Sequence, residues 1–385
     1  MKILHICPQY TEGFSYQENY LPKYQKKEGH DIVLVASNWE YDEDGELKEK
    51  EPSIQTNQDG IKIIKRKIAK GKPYSAKIKD LEGLEQIIKE EAPDLIFQHG
   101  CQHIHIKTVV DYVKKNPGVK VIVDNHADYS NSATSWVSKN ILHRVIWRHY
   151  AKMIEPYAEV FYGVLPSRVK FLSELYGISP EKCELLVMGA DDELVEKAEQ
   201  EKTAVKEELG FEKNELLLIT GGKIDLAKKQ TLVLMEAVNE INRKGILSQP
   251  LKLIIFGSVV PELKEEFDSL CNENIKYLGW MKSEETYRYV AAADLAVYPG
   301  RHSVLWEQTA AQGIPMVVKY WDGTDHVNVA DNVKFLYEDN PKELERVLTD
   351  IFTEEGALKS LKTGAEKGRS EFLYSRIAKK SLSKI

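Results

Sequence analysis

The sequence predicts an α/β protein built from two doubly wound, Rossmann-like parallel-sheet domains. Three observations predict it. Short apolar runs of strand length alternate with helical stretches along nearly the whole chain. The alternation breaks at Gly189-Ala190-Asp191-Asp192 and then starts again. Glycine and polar residues gather directly after the apolar runs, at the strand ends where open α/β sheets bind ligands. The reading divides the chain into a first domain at 1–189 and a second at 190–369, with a helix at about 370–385 packing back on the first.

Composition narrows the class. The chain has 385 residues, enough for two cores, with 42% apolar and 29% charged residues as in soluble globular proteins. A formal charge of −7 argues against a nucleic-acid binder. Cys7, Cys101, Cys183 and Cys271 form no CxxC pair and read as buried thiols in a reducing compartment. The opening MKILHICPQY is interrupted too soon for a signal peptide, and no apolar run is long enough to span a bilayer. A cytoplasmic protein is expected.

The first half opens with a buried-type strand, Lys2 to Cys7, a polar loop containing Gly13, a helix to about Lys27 and a strand from Asp31 to Ala36. The first loop is not GxGxxG, which removes the main support for a dinucleotide-dependent oxidoreductase. Residues Trp39 to Glu51 read as an acidic solvated loop, with Asp42 and Asp44 inside a charge run rather than at a strand end. The strand Ile61 to Ile68 leads into a basic segment holding Lys62, Lys65, Arg66, Lys67, Lys70, Lys72, Lys77 and Lys79. A solvated edge explains it, and so does a surface for anionic lipid headgroups.

After the strand Leu95 to Gln98 come His99, Cys101, His103 and His105, which alternate along the chain. Structural zinc sites draw ligands from two places, so no metal is assigned here, and His99 is read as lining a pocket. The strand Val119 to Val123 ends in Asp124-Asn125-His126-Ala127-Asp128. A histidine flanked by two acids, Asp124 and Asp128, suits a general acid/base or a substrate clamp. The helix from about Ser135 to Met153 mixes Trp136, Ile141, Val145, Ile146 and Trp147 with Lys139, Arg144, Arg148 and Lys152. It reads as an amphipathic helix against the core, with an interfacial helix as the alternative.

In the second half the strand Glu215 to Thr220 runs into Gly221-Gly222-Lys223-Ile224-Asp225-Leu226-Ala227-Lys228. The glycines let the backbone approach a ligand, and two cations before a helix suit a diphosphate. The stretch Tyr298 to Lys319 carries the other half of such a site. A strand ends in Pro299-Gly300, a polar turn Arg301-His302-Ser303 follows, and a helix starts with Ser303 as its expected N-cap. Free amides at the helix tip, around Ser303 and Val304, would hold phosphate, and Glu307 one turn deeper would hold ribose hydroxyls.

At these residues the sequence resembles the retaining GT-B glycosyltransferases, particularly the large bacterial family 4, over nearly the whole chain. MKILHICPQYTEG is similar to that family's first strand and Gly-containing loop, which makes Gly13 a donor-side residue by resemblance. GHDIVLVAS is similar to its second strand, and LLVMGAD to the lead into its second domain. GGKIDLAKK resembles its diphosphate motif, implying that Gly222, Lys223 and Lys228 contact the donor and that both lysines stabilise the leaving group. YLGWMKSEETYRYVAAADLAVYPG resembles the approach to the nucleotide site, and VLWEQTAAQGIP the helix of the Glu-x7-Glu motif. Two departures stand out. Counting back from Gly313-Ile314-Pro315 puts Gln308, not Glu307, at the second acid, and Gly300 at the first. The usual Gly-Phe-Gly loop is replaced by Arg301-His302-Ser303, so His302 and Ser303 are expected to contact donor phosphate or sugar, while Glu307 keeps the ribose. His126 falls near the family's pocket histidine and is carried over as catalytic, and the resemblance implies that His99, Asp124 and Asp128 belong to the acceptor or sugar pocket.

The resemblance implies transfer of a sugar from a nucleotide diphosphate, UDP rather than GDP, to a hydroxyl of a glycan or lipid-linked acceptor, with retention and without cofactor or metal. Peripheral contact with an anionic membrane is a further expectation, and nucleic acid is excluded. A nucleotide-sugar epimerase or hydrolase on the same fold is the alternative enzyme, and a non-catalytic nucleotide-sugar binder the alternative class.

Overall fold

The computed structural model describes residues 1–42, 46–68, 80–212, 215–226 and 229–385. It divides into two compact units, one comprising Met1–Val187 with Ile377–Ile385 and the other Met188–Arg376.

The first unit is built on an eight-stranded sheet. Its strands are β1 (Lys2–Ile6), β2 (Asp31–Ser37), and, after a small antiparallel hairpin of β3 (Trp39–Tyr41) and β4 (Leu47–Glu49), β5 (Ser53–Thr56), β6 (Lys62–Arg66), β7 (Leu95–Gln98), β8 (Lys120–Asn125), β9 (Val160–Gly163) and β10 (Cys183–Leu185). The order is β10-β9-β8-β7-β1-β2-β6-β5, parallel except for the edge strand β5. The chain reverses direction across the sheet at β1, which lies between β7 and β2. That reversal places the ends of β1, β7 and β8 side by side, and with them His5, His99 and Asp124.

The second unit has six parallel strands: β11 (Leu217–Gly221), β12 (Lys252–Phe256), β13 (Ile275–Tyr277), β14 (Leu295–Tyr298), β15 (Met316–Lys319) and β16 (Val333–Leu336). Their order, β13-β12-β11-β14-β15-β16, is the Rossmann order, with its switch point between β11 and β14. Leu217, Leu218 and Ile219 are fully buried because a central parallel strand is covered on both faces, which is why it reads as a continuous apolar run. Each unit has its own apolar core, centred on β1, β7 and β8 in the first and on β11, β12 and β14 in the second.

Several expectations need correction. The stretch Trp39–Glu51 holds the β3–β4 hairpin rather than only a loop, and Asp44 lies outside the described residues. Lys65 is no surface cation: it is buried and pairs with Glu40 at 3.0 Å, because β6 is an interior strand. Lys62 pairs with Glu91 at 2.6 Å; Lys70, Lys72, Lys77 and Lys79 lie outside the described residues. Of the four thiols only Cys7 and Cys101 are buried. The tryptophan-bearing helix is a π-helix over Ser138–Trp147 followed by an α-helix over Arg148–Ile154. Within the π-helix only His143 and Trp147 are buried, while Trp136 just before it is 71% exposed and Val145 61%, so most of its apolar residues do not pack on the core.

Candidate active site

In the second unit the switch point is formed by the loops after β11 and β14. Gly222 has φ +115°, a conformation that favours glycine, and its N–H donates to Phe256 O at 3.0 Å. A side chain on the neighbouring Gly257 (φ +118°) would meet Gly222 O at 1.9 Å, so the close approach of these turns requires glycine at 257, while at 222 it is the positive φ that favours glycine. Beyond Gly222, Lys223 is exposed. Lys228 lies outside the described residues.

After β14, the helix begins later than expected. It spans Leu305–Ala311, with Val304 as the residue before it, and no side chain caps it. Ser303 enters the first turn through its carbonyl, which accepts from Trp306 N at 3.0 Å, so its hydroxyl does not cap. Glu307 is fully buried. Its Oε1 accepts from His302 Nε2 and from His326 Nε2, each at 2.8 Å. Its Oε2 is buried with no partner among the described residues. Burial pushes this carboxyl up, but His302 and His326 more than offset that and hold it well below the ordinary carboxylate range. The ribose role expected of Glu307 requires an accessible oxygen, and the structure leaves neither exposed; the carboxylate instead anchors two imidazoles. Gln308, the other residue considered for that place, is also buried. His326, in the turn Asp325–Val327, escaped the sequence reading because nothing local marks it. A histidine nineteen residues past a helical glutamate carries no signal until β15 returns the chain beside β14.

In the first unit a hydrogen-bonded chain crosses the sheet. Ser381 Oγ donates to Ala378 O at 2.7 Å and accepts from Gln25 Nε2 at 2.9 Å. Gln25 Oε1 then accepts from His5 Nε2 at 2.7 Å, which leaves His5 Nδ1 to accept from His99 Nε2 at 3.0 Å. His99 Nδ1 faces Asp124 Oδ2 at 2.7 Å, and a carboxylate only accepts. Both nitrogens of His99 therefore donate, and His99 is an imidazolium. Electrostatics agree. Burial works against the charge on His99, yet Cys7 and the Asp124 carboxylate raise it well above the ordinary histidine value. The Cys7 thiol is itself pushed up by burial, so Asp124 is the partner that acts at neutral pH. His5 is pushed down to about 3 by burial and by His99. Asp124 is fully buried and also accepts from Gly100 N at 2.9 Å.

His126 Nε2 stands 3.6 Å from Asp124 Oδ2, and its side chain is 38% exposed. It is the one member of this cluster that reaches solvent. His99 and Asp124 do not line an open pocket as expected; they are enclosed, and of the two it is Asp124 that faces His126. Asp128 is used by its own turn, accepting from Ser130 N, Ser130 Oγ, Asn131 N and Arg168 Nε, and is not a free acid. Gly13 (φ +79°) sits in an open turn. His103 and His105 stack on each other at 4.9 Å at the start of the helix Ile106–Lys115 rather than alternating along an extended strand.

This chain of bonds predicts a pH optimum of stability near the ordinary histidine value of 6.5. Below it the unfolded state takes up a proton that buried His5 refuses, so stability falls at about 1.4 kcal/mol per pH unit toward pH 3. Above it the folded state holds a proton on His99 that the unfolded state releases, so stability falls again until the raised value is passed. Urea denaturation from about pH 4 to about pH 9 checks this. A profile that is flat on either side of its centre removes the corresponding assignment.

Comparison with known proteins adds a match in the second unit. Residues 201–368 match the family model for Glycosyl transferases group 1. The matched stretch is similar to that family over less than half of the chain. It contains both turns of the second-unit site, and the match begins within the helix Asp192–Glu208. The N-acetylgalactosamine-N,N'-diacetylbacillosaminyl-diphospho-undecaprenol 4-alpha-N-acetylgalactosaminyltransferase of Campylobacter jejuni is 23% identical over 254 residues, covering 63% of this chain. The chain spans 64% of that relative's length. Among solved structures, sucrose-phosphate synthase of Thermosynechococcus elongatus superposes with a TM-score of 0.66 at 13% identity, over 98% of this chain and 96% of its own. Anabaena HepE in complex with UDP and glucose superposes with a TM-score of 0.63 at 13% identity, over 99% and 98%. These likenesses show the GT-B fold.

Proposed function

We propose that the protein transfers a sugar from a nucleotide-diphosphate donor, a UDP-sugar in preference to a GDP-sugar, to a hydroxyl of a lipid-linked glycan, with retained configuration. The observation that carries the reading is the second unit's switch point, where Gly222 and Lys223 follow β11, with Gly257 after β12 against Gly222, beside the polar turn that ends β14. The match to glycosyl transferases group 1 supports the class, the HepE complex with UDP and glucose supports the donor, and the diphospho-undecaprenol in the Campylobacter enzyme's name supports the acceptor.

In this reading the backbone at Gly222 approaches the diphosphate, Lys223 and Lys228 stabilise the charge that grows on it as the glycosidic bond breaks, and the turn His302-Ser303-Val304 contacts phosphate or sugar. Glu307 holds His302 in place. His126, oriented by Asp124, serves the acceptor hydroxyl. A thermal-shift screen against UDP, GDP, ADP and their sugars, followed by turnover with membrane extract as acceptor, tests the reading. Lys223→Ala and Lys228→Ala are expected to lower turnover by about 10²–10³ while changing stability by less than about 0.5 kcal/mol. Conversion of a nucleotide-sugar without acceptor points to an epimerase or hydrolase. Tight binding with no turnover points to a binding protein.

The acceptor reading extends to where the protein works. No helix among the described residues is long and apolar enough to cross a membrane. The exposed side chains of Trp136, Val137, Ile141, Val145 and Ile146, edged by Lys139, Arg144, Arg148 and Lys152, fit peripheral attachment at the cytoplasmic face of an anionic bilayer. Trp136→Ser with Ile141→Ser is expected to reduce co-sedimentation with anionic vesicles about tenfold. Sedimentation that ignores anionic lipid content removes this part of the proposal.

A further inference from the structure

The loop after β14, the short helix behind it and the turn after β15 bring three metal-ligating side chains together. One ring nitrogen each of His302 and His326 and one oxygen of Glu307 lie within 4.8 Å of one another. We propose that these residues form a binding site for a single divalent transition metal of the zinc class, with an open coordination position on the side of His302.

The direction of the bonds carries the argument. A buried carboxylate that only paired with two histidines has two oxygens to offer and gains by using both. Here both imidazoles converge on Oε1, at 2.8 Å each, and Oε2 is left without a partner in a fully enclosed residue. The three donor atoms are thus close enough together to share one ion, and the buried Oε2 is left for it to neutralise. Zinc binds imidazole nitrogen and carboxylate oxygen at about 2.0–2.2 Å, which sets neighbouring donor atoms about 3.3 Å apart in a tetrahedral site. Rotations of a few tenths of an ångström open the present 2.8 Å spacings to that value. Metal would replace the protons now shared along the two nitrogen–oxygen contacts and would neutralise the buried carboxylate directly.

The frame is suited to holding an ion. Glu307 and His302 are tied to one strand end, and Trp306 packs edge-on against His302 with ring centres 5.0 Å apart. Phe372 lies edge-on to His326 at 6.4 Å. The donor set selects the metal. Two imidazoles and one carboxylate suit zinc, cobalt, nickel or copper, whereas magnesium and calcium prefer an all-oxygen shell. The His302 side chain is 10% exposed, against 3% for His326 and 0% for Glu307, so a fourth ligand enters beside His302. Water or an anionic oxygen fits that position.

Titration of chelator-treated full-length protein with Co²⁺, read by its visible ligand-field absorption, and equilibrium dialysis with Zn²⁺ test the site. One equivalent is expected to bind, with the intense bands of a four- or five-coordinate ion. Glu307→Gln, His302→Asn and His326→Asn are each expected to weaken binding by about 100-fold or more, and His30→Asn, elsewhere in the chain, to leave it unchanged. Circular dichroism identifies any variant that fails to fold, and the native protein alone still decides the matter. If native protein takes up no stoichiometric Co²⁺, or if His326→Asn binds as the native chain does, the three residues are a proton-held clamp and the proposal falls. The readout is metal occupancy, so its failure leaves the glycosyl-transfer reading untouched.

Discussion

Asp124→Asn is expected to cost about 3–5 kcal/mol of stability at neutral pH, the loss seen when one partner of a buried ion pair is removed. The asparagine keeps the size of the side chain and can still accept from Gly100 N, now at 2.9 Å. What it cannot do is receive a charged imidazole. The amide NH₂ faces His99 Nδ1–H donor to donor across 2.7 Å, so His99 must give up a proton or the chain from Ser381 through Gln25 and His5 must reverse. Reversal would need His5 to donate from Nδ1, and Gln25 and Ser381 to turn over with it. Urea denaturation reads the loss. The same variant is expected to lose the alkaline fall in stability, because the proton that His99 holds above its ordinary value depends on Asp124. A variant with native stability would mean that His99 is neutral and the assigned bond directions are wrong. In turnover, the variant is also expected to fall by about 10²-fold as His126 loses its orienting charge.

Gly257→Ala is the second large effect. Its Cβ would stand 1.9 Å from Gly222 O and 2.7 Å from Gly222 C, contacts that only movement of the backbone relieves. The moving segment is the turn that presents Gly222 and Lys223. Overpacking and the left-handed backbone (φ +118°) together predict a loss of about 2–4 kcal/mol, with weakened UDP binding in any folded fraction. Gly245→Ala separates the two terms. Gly245 also has a left-handed backbone (φ +61°), but nothing lies within 4 Å of an added Cβ, so it reports the conformational cost alone, about 1 kcal/mol. Equal losses at the two positions in denaturation would show that the close approach of the two turns carries no weight.

The candidate site was legible in uneven measure. The turn at Gly222-Lys223 was readable because a glycine pair after an apolar run has a local meaning: it marks backbone that must bend or be approached. The place of His126 was readable too, as a polar residue directly after a strand. Glu307 was misread. Helical spacing showed which face it shares with Ser303, but whether that face meets solvent or protein depends on what β15 and the turn at His326 bring beside it. His99, Asp124 and Asp128 were found as residues but not as roles, since a carboxylate in a sequence does not reveal whether backbone amides already occupy it. The apolar residues of the helix at Ser138–Trp147 pointed inward on periodicity, yet a π-helix advances by a different angle per residue from an α-helix and turned most of them out.

Sequence alone determined the doubly wound class, the number of strand–helix repeats in rough outline and the places where strands end in chemistry, because strand-length apolar runs and glycine punctuation are local properties. The tertiary structure decided which of those ends meet: the strand orders that set β1 beside β7 and β11 beside β14, and the partners that turn His99 into an imidazolium and Glu307 into the anchor of two histidines. Strand order and charge state are properties of pairs brought together from distant parts of the chain, and no single stretch of residues contains them.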